Sequence, residues 1–106
     1  MYVKLTDKNG SPVQPVVGAS SKGRSISISA STDYVPLLAL SHRVFFSVQN
    51  SSTSAMYLKY DAPEYETWTV RIPPNWYFES PVTVWQGAIV GKWDAANGSA
   101  NITELY

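Results

Sequence analysis

The chain has 106 residues and no formal net charge, eight Lys and Arg balancing eight Asp and Glu. Only 15 % of its residues are charged, 44 % are hydrophobic, 13 % are aromatic and none is cysteine. That length makes one domain. The missing cysteine excludes disulfides and thiolate metal sites, and no Lys/Arg cluster exceeds two neighbours, so nucleic acid is not an expected partner. No run approaches the ~18 apolar residues of a membrane span, and Met1–Asp7 has no apolar core of signal-peptide length. The expectation is a chain made in the cytosol that engages no membrane. Few charges with many hydroxyls suit strands with neutral outer faces that work against another protein surface.

Residues 1–24 differ in character from the rest. Met1–Thr6 alternates, with Val3 and Leu5 against Tyr2 and Lys4. Asp7-Lys8-Asn9-Gly10 signals a turn, Pro12 and Pro15 break regular structure, and Gly18–Gly23 reads as a linker. Two readings stay open for this segment: an edge hairpin folded onto the domain, or an extended arm that orders against a neighbouring subunit. Residues 25–106 then form the domain proper. Ser25–Ser29 alternates with period two, isoleucines inward and serines outward. Tyr34–Leu40 is apolar, but Pro36 argues against a central strand. Arg43–Gln49 places Val44, Phe46 and Val48 on one face. Met56–Asp61 places Met56, Leu58 and Tyr60 together, and Thr67–Ile72 places Trp68, Val70 and Ile72 together inside. Pro73-Pro74-Asn75 turns into Trp76–Ser80, where Trp76 and Phe78 oppose Tyr77 and Glu79.

The C-terminal stretch reads as a closing hairpin. A long strand over Val82–Trp93 meets Ser99–Leu105 through a turn in which Asn97 and Gly98 both tolerate positive φ. No window shows a 3.6-residue apolar period, so essentially no helix is expected. Short strands spaced by turn signals predict an all-β fold, a small antiparallel β-sandwich or β-barrel of about 7–8 short strands.

Chemistry is sparse in this sequence. His42 is the sole histidine and lacks a neighbouring carboxylate or second imidazole, so a surface or structural role fits it better than catalysis or metal binding. Asp61, Glu64 and Glu66 share one Pro-containing loop. Glycoside chemistry needs two carboxyls about 5–9 Å apart across a cleft, and an exposed loop implies none. Asp94–Asn101 offers oxygen ligands, but its spacing is not that of a Ca²⁺ loop and turn chemistry accounts for each residue. Phosphate loops, nucleophile elbows and zinc signatures are missing. The expectation is a protein that is not an enzyme and uses no cofactor or metal. The aromatics carry more meaning, since Trp68, Trp76, Tyr77, Phe78, Trp85 and Trp93 exceed what one small core needs. Alternation leaves either Trp85 or its neighbours Val82 and Val84 facing outward. Exposed rings suit a protein interface or a sugar-binding strip, and the excess favours a homo-oligomer.

From Arg43 onward a set of phrases recurs in a known setting. Arg43-Val-Phe-Phe-Ser-Val-Gln-Asn50 precedes a Ser/Thr turn and Met56-Tyr-Leu-Lys-Tyr-Asp61. Trp76-Tyr-Phe-Glu-Ser80, Gly87-Ala-Ile-Val-Gly91 and Ala95–Leu105, ending Ile-Thr-Glu-Leu, follow. This order resembles small virion structural proteins of tailed bacteriophages. The resemblance implies a capsid decoration, or cement, protein on the virion surface. Its partners would be the major capsid protein lattice and neighbouring copies of itself, as a homotrimer. In that reading contact falls to the arm, through Tyr2, Val3, Leu5, Val13, Val16 and Val17, and to the aromatics Tyr77 and Trp85. A head-fibre or tail-associated module is the alternative within virions, and a carbohydrate-binding module the alternative of another class.

Overall fold

A computed structural model of the chain describes residues 22–106. The expectations for Tyr2, Val3, Leu5, Val13, Val16 and Val17 therefore lie outside the described residues. Eight strands follow in order: β1 (Gly23–Ser29), β2 (Val35–Leu38), β3 (Phe45–Ser51), β4 (Met56–Tyr60), β5 (Val70–Ile72), β6 (Tyr77–Glu79), β7 (Ile89–Trp93) and β8 (Ser99–Leu105). They form two four-stranded sheets, ordered β1-β8-β3-β6 and β2-β7-β4-β5, with every pairing antiparallel. No helix occurs among the described residues. The β-sandwich expected from strand spacing is the fold.

The topology is that of a rolled ribbon. β4 pairs with β5, β3 with β6, β2 with β7 and β1 with β8, so the chain doubles back at the β4–β5 hairpin and then rolls into two layers. This is the strand order of the double-sheet jelly roll. It corrects the closing hairpin. β7 covers only Ile89–Trp93, and β7 and β8 lie in different sheets. The Asn97–Gly98 turn is an arch across the sandwich. Only Gly98 has positive φ there, at 80°. A Cβ on Gly98 would sit 2.6 Å from the Ser51 carbonyl oxygen and 2.8 Å from Ser52 Cα, because the arch lies directly on the β3–β4 turn. Asn97 fastens that contact, its Oδ1 accepting from Ser52 Oγ at 3.0 Å and Ser54 Oγ at 3.3 Å.

Period-two alternation places the core. Phe46 and Val48 on β3, Met56 and Leu58 on β4, Ile89 and Trp93 on β7 and Ile102 on β8 are buried between the layers. Burying each such side chain contributes roughly 1.5–3 kcal/mol. Pro36 lies on β2, an edge strand, beside a register irregularity between Pro36 and Leu38. An edge tolerates its missing N–H. Trp68 departs from expectation: β5 starts only at Val70, and Trp68 is 45 % exposed while Ile72 is buried. The alternation ends where the strand ends, so Trp68 swings outward to pack on Tyr57 at 5.4 Å between ring centroids.

Candidate functional site: the polar anchors and the two outer faces

The inward rows of the first sheet finish in polar groups at both ends. On β8, Ala100 and Ile102 face inward and so does Glu104, which is 2 % exposed. Arg24 stands opposite it on β1 and Phe46 on β3. Arg43, just before β3, is fully buried against it. Glu104 Oε1 accepts from Arg43 Nε and Ser41 Oγ at 2.9 Å each, and Oε2 accepts from Arg24 Nε at 2.8 Å. Burial pushes the Glu104 carboxyl up, but the bonds from Arg24, Arg43 and Ser41, with Arg43's charge, outweigh it and hold the group below its ordinary value. The bond to Glu104 and the negative charge of that carboxylate raise Arg24.

Arg43 spends its remaining donors on backbone. Nη1 donates to the Trp85 carbonyl at 2.6 Å and the Gly87 carbonyl at 3.0 Å, and Nη2 donates to the Ala39 carbonyl. Gln86 Nε2 returns a bond to the Arg43 carbonyl at 3.0 Å. One guanidinium thus holds the long β6–β7 connection and the β2–β3 connection onto the sandwich. At the other end Asn50 is the inward residue. Its Nδ2 donates to the carbonyls of Ser54 (2.9 Å), Ile72 (3.0 Å) and Pro73 (3.1 Å), and its Oδ1 accepts from Trp93 Nε1 at 3.2 Å. These residues were missed as anchors in the sequence because a lone Arg or Asn at a strand end looks like surface. The available signal was phase: Asn50 and Glu104 fall on the inward parity of Phe46–Val48 and Ala100–Ile102.

The outer faces contrast. Across the first sheet, register aligns Ser25, Thr103, Ser47 and Glu79 in one row and Ser27, Asn101, Gln49 and Tyr77 in the next. Ser25 and Thr103 hydroxyls share a bond of 2.7 Å. This face is hydroxyl and amide, with Glu79 its only charge in those rows. On the second sheet, Arg71, Tyr57 and Lys92 lie side by side. Lys59 and Lys92 hold their ammoniums 5.5 and 5.0 Å from the Tyr34 ring centre, and Tyr57 Oη donates to Asp94 Oδ2 at 3.3 Å.

Of the two aromatics expected as contacts, the structure exposes one. Tyr77 is 60 % exposed on β6. Trp85, expected to be exposed as well, is not a free ring. It is half-buried, stacked on Tyr60 at 5.0 Å and 2°, edge-on to Tyr65 at 5.5 Å, and its Nε1 donates to the Ala88 carbonyl. The carbonyls tied by Arg43 turn the indole back onto Tyr60. Burial, reinforced by Tyr65 and opposed by Arg43, pushes the Tyr60 phenol up. Val82 is the side chain facing outward, at 95 % exposure, and Trp76 joins Tyr77 at the surface. His42 is exposed, and no group of three His, Cys, Asp or Glu able to hold a metal occurs among the described residues. Comparison with known proteins finds no matching family model, no matching curated protein and no matching solved structure.

Proposed function

We propose that the chain is a bacteriophage virion structural protein, a capsid decoration protein that binds the assembled head lattice and stabilises it. The observation that carries this reading is the rolled-ribbon topology, β1-β8-β3-β6 over β2-β7-β4-β5, an architecture that recurs in viral capsid domains. It is a fold-level analogy. The phrases that resemble phage virion proteins add to it, because they contain Arg43, Asn50 and Glu104, the anchors that close this fold. The mechanism is linkage: a protein that binds only the assembled lattice stabilises it by mass action, and many copies on one shell let modest contacts suffice. Within this reading contact falls to Tyr2–Val17, which lie outside the described residues, and to the exposed ring of Tyr77.

The test is co-sedimentation of the full chain with assembled phage heads, alongside the heads' melting temperature. Bound heads should melt higher, and Tyr77→Ala should reduce binding without changing the fold. Heads that neither retain the protein nor gain thermal stability would reject the reading. The jelly roll also houses lectin domains, and Trp76 and Tyr77, consecutive in the chain, are both exposed. Binding to a sugar array that is lost in Trp76→Ala would favour the carbohydrate-binding reading instead.

A further inference from the structure

Two sheets have four edges, and three of them are blunted. β5 and β6 are three residues long, and β2 carries Pro36 and a register irregularity. Short strands, proline and irregular register are the devices that stop an edge from pairing with another chain. β1 has none of them. It is seven residues of regular ladder without proline, and Ser25–Ser29 bears no charge.

The open side of β1 is defined by its ladder. Ala30 N–H donates to the Gly98 carbonyl at 3.0 Å and Tyr106 N–H to the Lys22 carbonyl at 2.9 Å. Both bonds continue the β1–β8 register, so the even-numbered residues turn their backbone groups toward β8. Gly23, Ser25, Ser27 and Ser29 therefore aim their N–H and C=O groups away from the sheet. Among the described residues no strand pairs with that side.

We propose that β1 pairs antiparallel with β1 of a second copy about a two-fold axis at Ser27, joining two four-stranded sheets into one. The occupant is argued from the strand's own sequence. Ser25-Ile26-Ser27-Ile28-Ser29 reads the same in both directions, as a contact between identical patches requires. Ser27 meets Ser27 and Ser25 meets Ser29, so the hydrogen-bonded pairs use the backbone groups that β8 leaves unused. Centring the axis on Ile26 or Ile28 would also pair odd residues with odd ones, but it breaks the palindromic match, setting Arg24 opposite Ile28 in the first case and running Ser25 past the end of β1 to Ser31 in the second. On the inner side Ile26 meets Ile28, extending the row of half-buried isoleucines packed on the core. Arg24 falls opposite Ala30, so no like charges face each other. This inference stands apart from the capsid reading and names a two-fold contact where the phage resemblance implies a three-fold one.

The experiment uses the full chain in solution, with no capsid present. Sedimentation equilibrium over rising concentration should show mass approaching twice that of the chain. Ser27→Pro should abolish the dimer yet keep the circular dichroism and melting of the parent, because that N–H faces outward and an edge strand tolerates proline there. The chain has no cysteine, so register can be read by single cysteines under mild oxidation. Ser27→Cys should form a disulfide dimer, its Cα atoms lying about 5.5 Å apart across the axis. Ser25→Cys should not, since its two copies lie roughly 13 Å apart along the strands. A monomer at every concentration, a trimer mass, or equal cross-linking of both cysteine variants overturns the proposal. So does amide protection of Ser25, Ser27 and Ser29 in a monomer, which would assign the edge to residues 1–21 of the same chain.

Discussion

At the residue scale, Glu104 and Arg43 do the most with the least exposure. Two buried opposite charges gain stability only when their remaining donors and acceptors are also satisfied. Here Glu104 accepts three bonds and Arg43 donates four, and no buried side-chain nitrogen or oxygen lacks a partner among the described residues. Removing one member leaves the other's charge uncompensated. Glu104→Gln should therefore cost about 3–5 kcal/mol in urea unfolding at neutral pH. The pH dependence follows from the direction of the shift. A carboxyl held below its ordinary 4.5 in the folded protein contributes its full stability above that value and loses it as pH falls through the folded value. Wild-type stability should decline on acidification below that range, and the decline should be shallower in Glu104→Gln. Parallel pH curves for the two proteins would show that Glu104 is not the group responsible.

At the element scale, the connection between β6 and β7 (residues 80–88) forms no strand. Periodic Val and Trp residues there suggest strand, yet none forms before Ile89. Arg43 binds the carbonyls of Trp85 and Gly87 in place of a strand partner, and Trp85 packs on Tyr60. Trp85→Ala should accordingly destabilise the fold by roughly 2–4 kcal/mol, somewhat below a fully buried tryptophan. Tyr77→Ala, on an exposed ring, should stay within about 0.5 kcal/mol of the parent. Thermal or urea melts of the two variants separate these roles, and equal losses would contradict the placement of both rings. The two were alike in sequence, each an aromatic on an alternating stretch. What distinguishes them is a distant guanidinium, that of Arg43, which reaches the Trp85 carbonyl across 42 positions and the Gly87 carbonyl across 44.

At the scale of the whole molecule, the rolled ribbon makes nearly every pairing distant in sequence. Ser29 pairs with Ser99 and Gly23 with Leu105, 70 and 82 positions apart. Loop closure over such separations must precede the contacts that reward it. Refolding from urea, followed by tryptophan fluorescence in stopped flow, should be slow for a chain of this size, on the order of milliseconds to seconds. A microsecond phase carrying the full amplitude would be incompatible with this topology. The β1 edge belongs to the same scale: rolling the ribbon leaves its first strand at the end of a sheet, and a palindromic stretch makes that end complementary to itself.

The sequence by itself determined the all-β class, most strand positions, the shared face of Phe46 and Val48 and of Met56 and Leu58, and the edge position implied by Pro36. Those features follow from local rules, since a period of two and a missing N–H act within a few residues. The tertiary structure decided the partner of each strand, and with it that Gly98 closes an arch instead of a hairpin. It also decided that Trp68 faces out, that Trp85 is held in, and that Arg43 and Glu104 belong inside. Each of these depends on a group from a distant part of the chain. A carboxylate is tolerated in a core only once two arginines and a serine have been brought to it, and nothing within a few residues of Glu104 announces them.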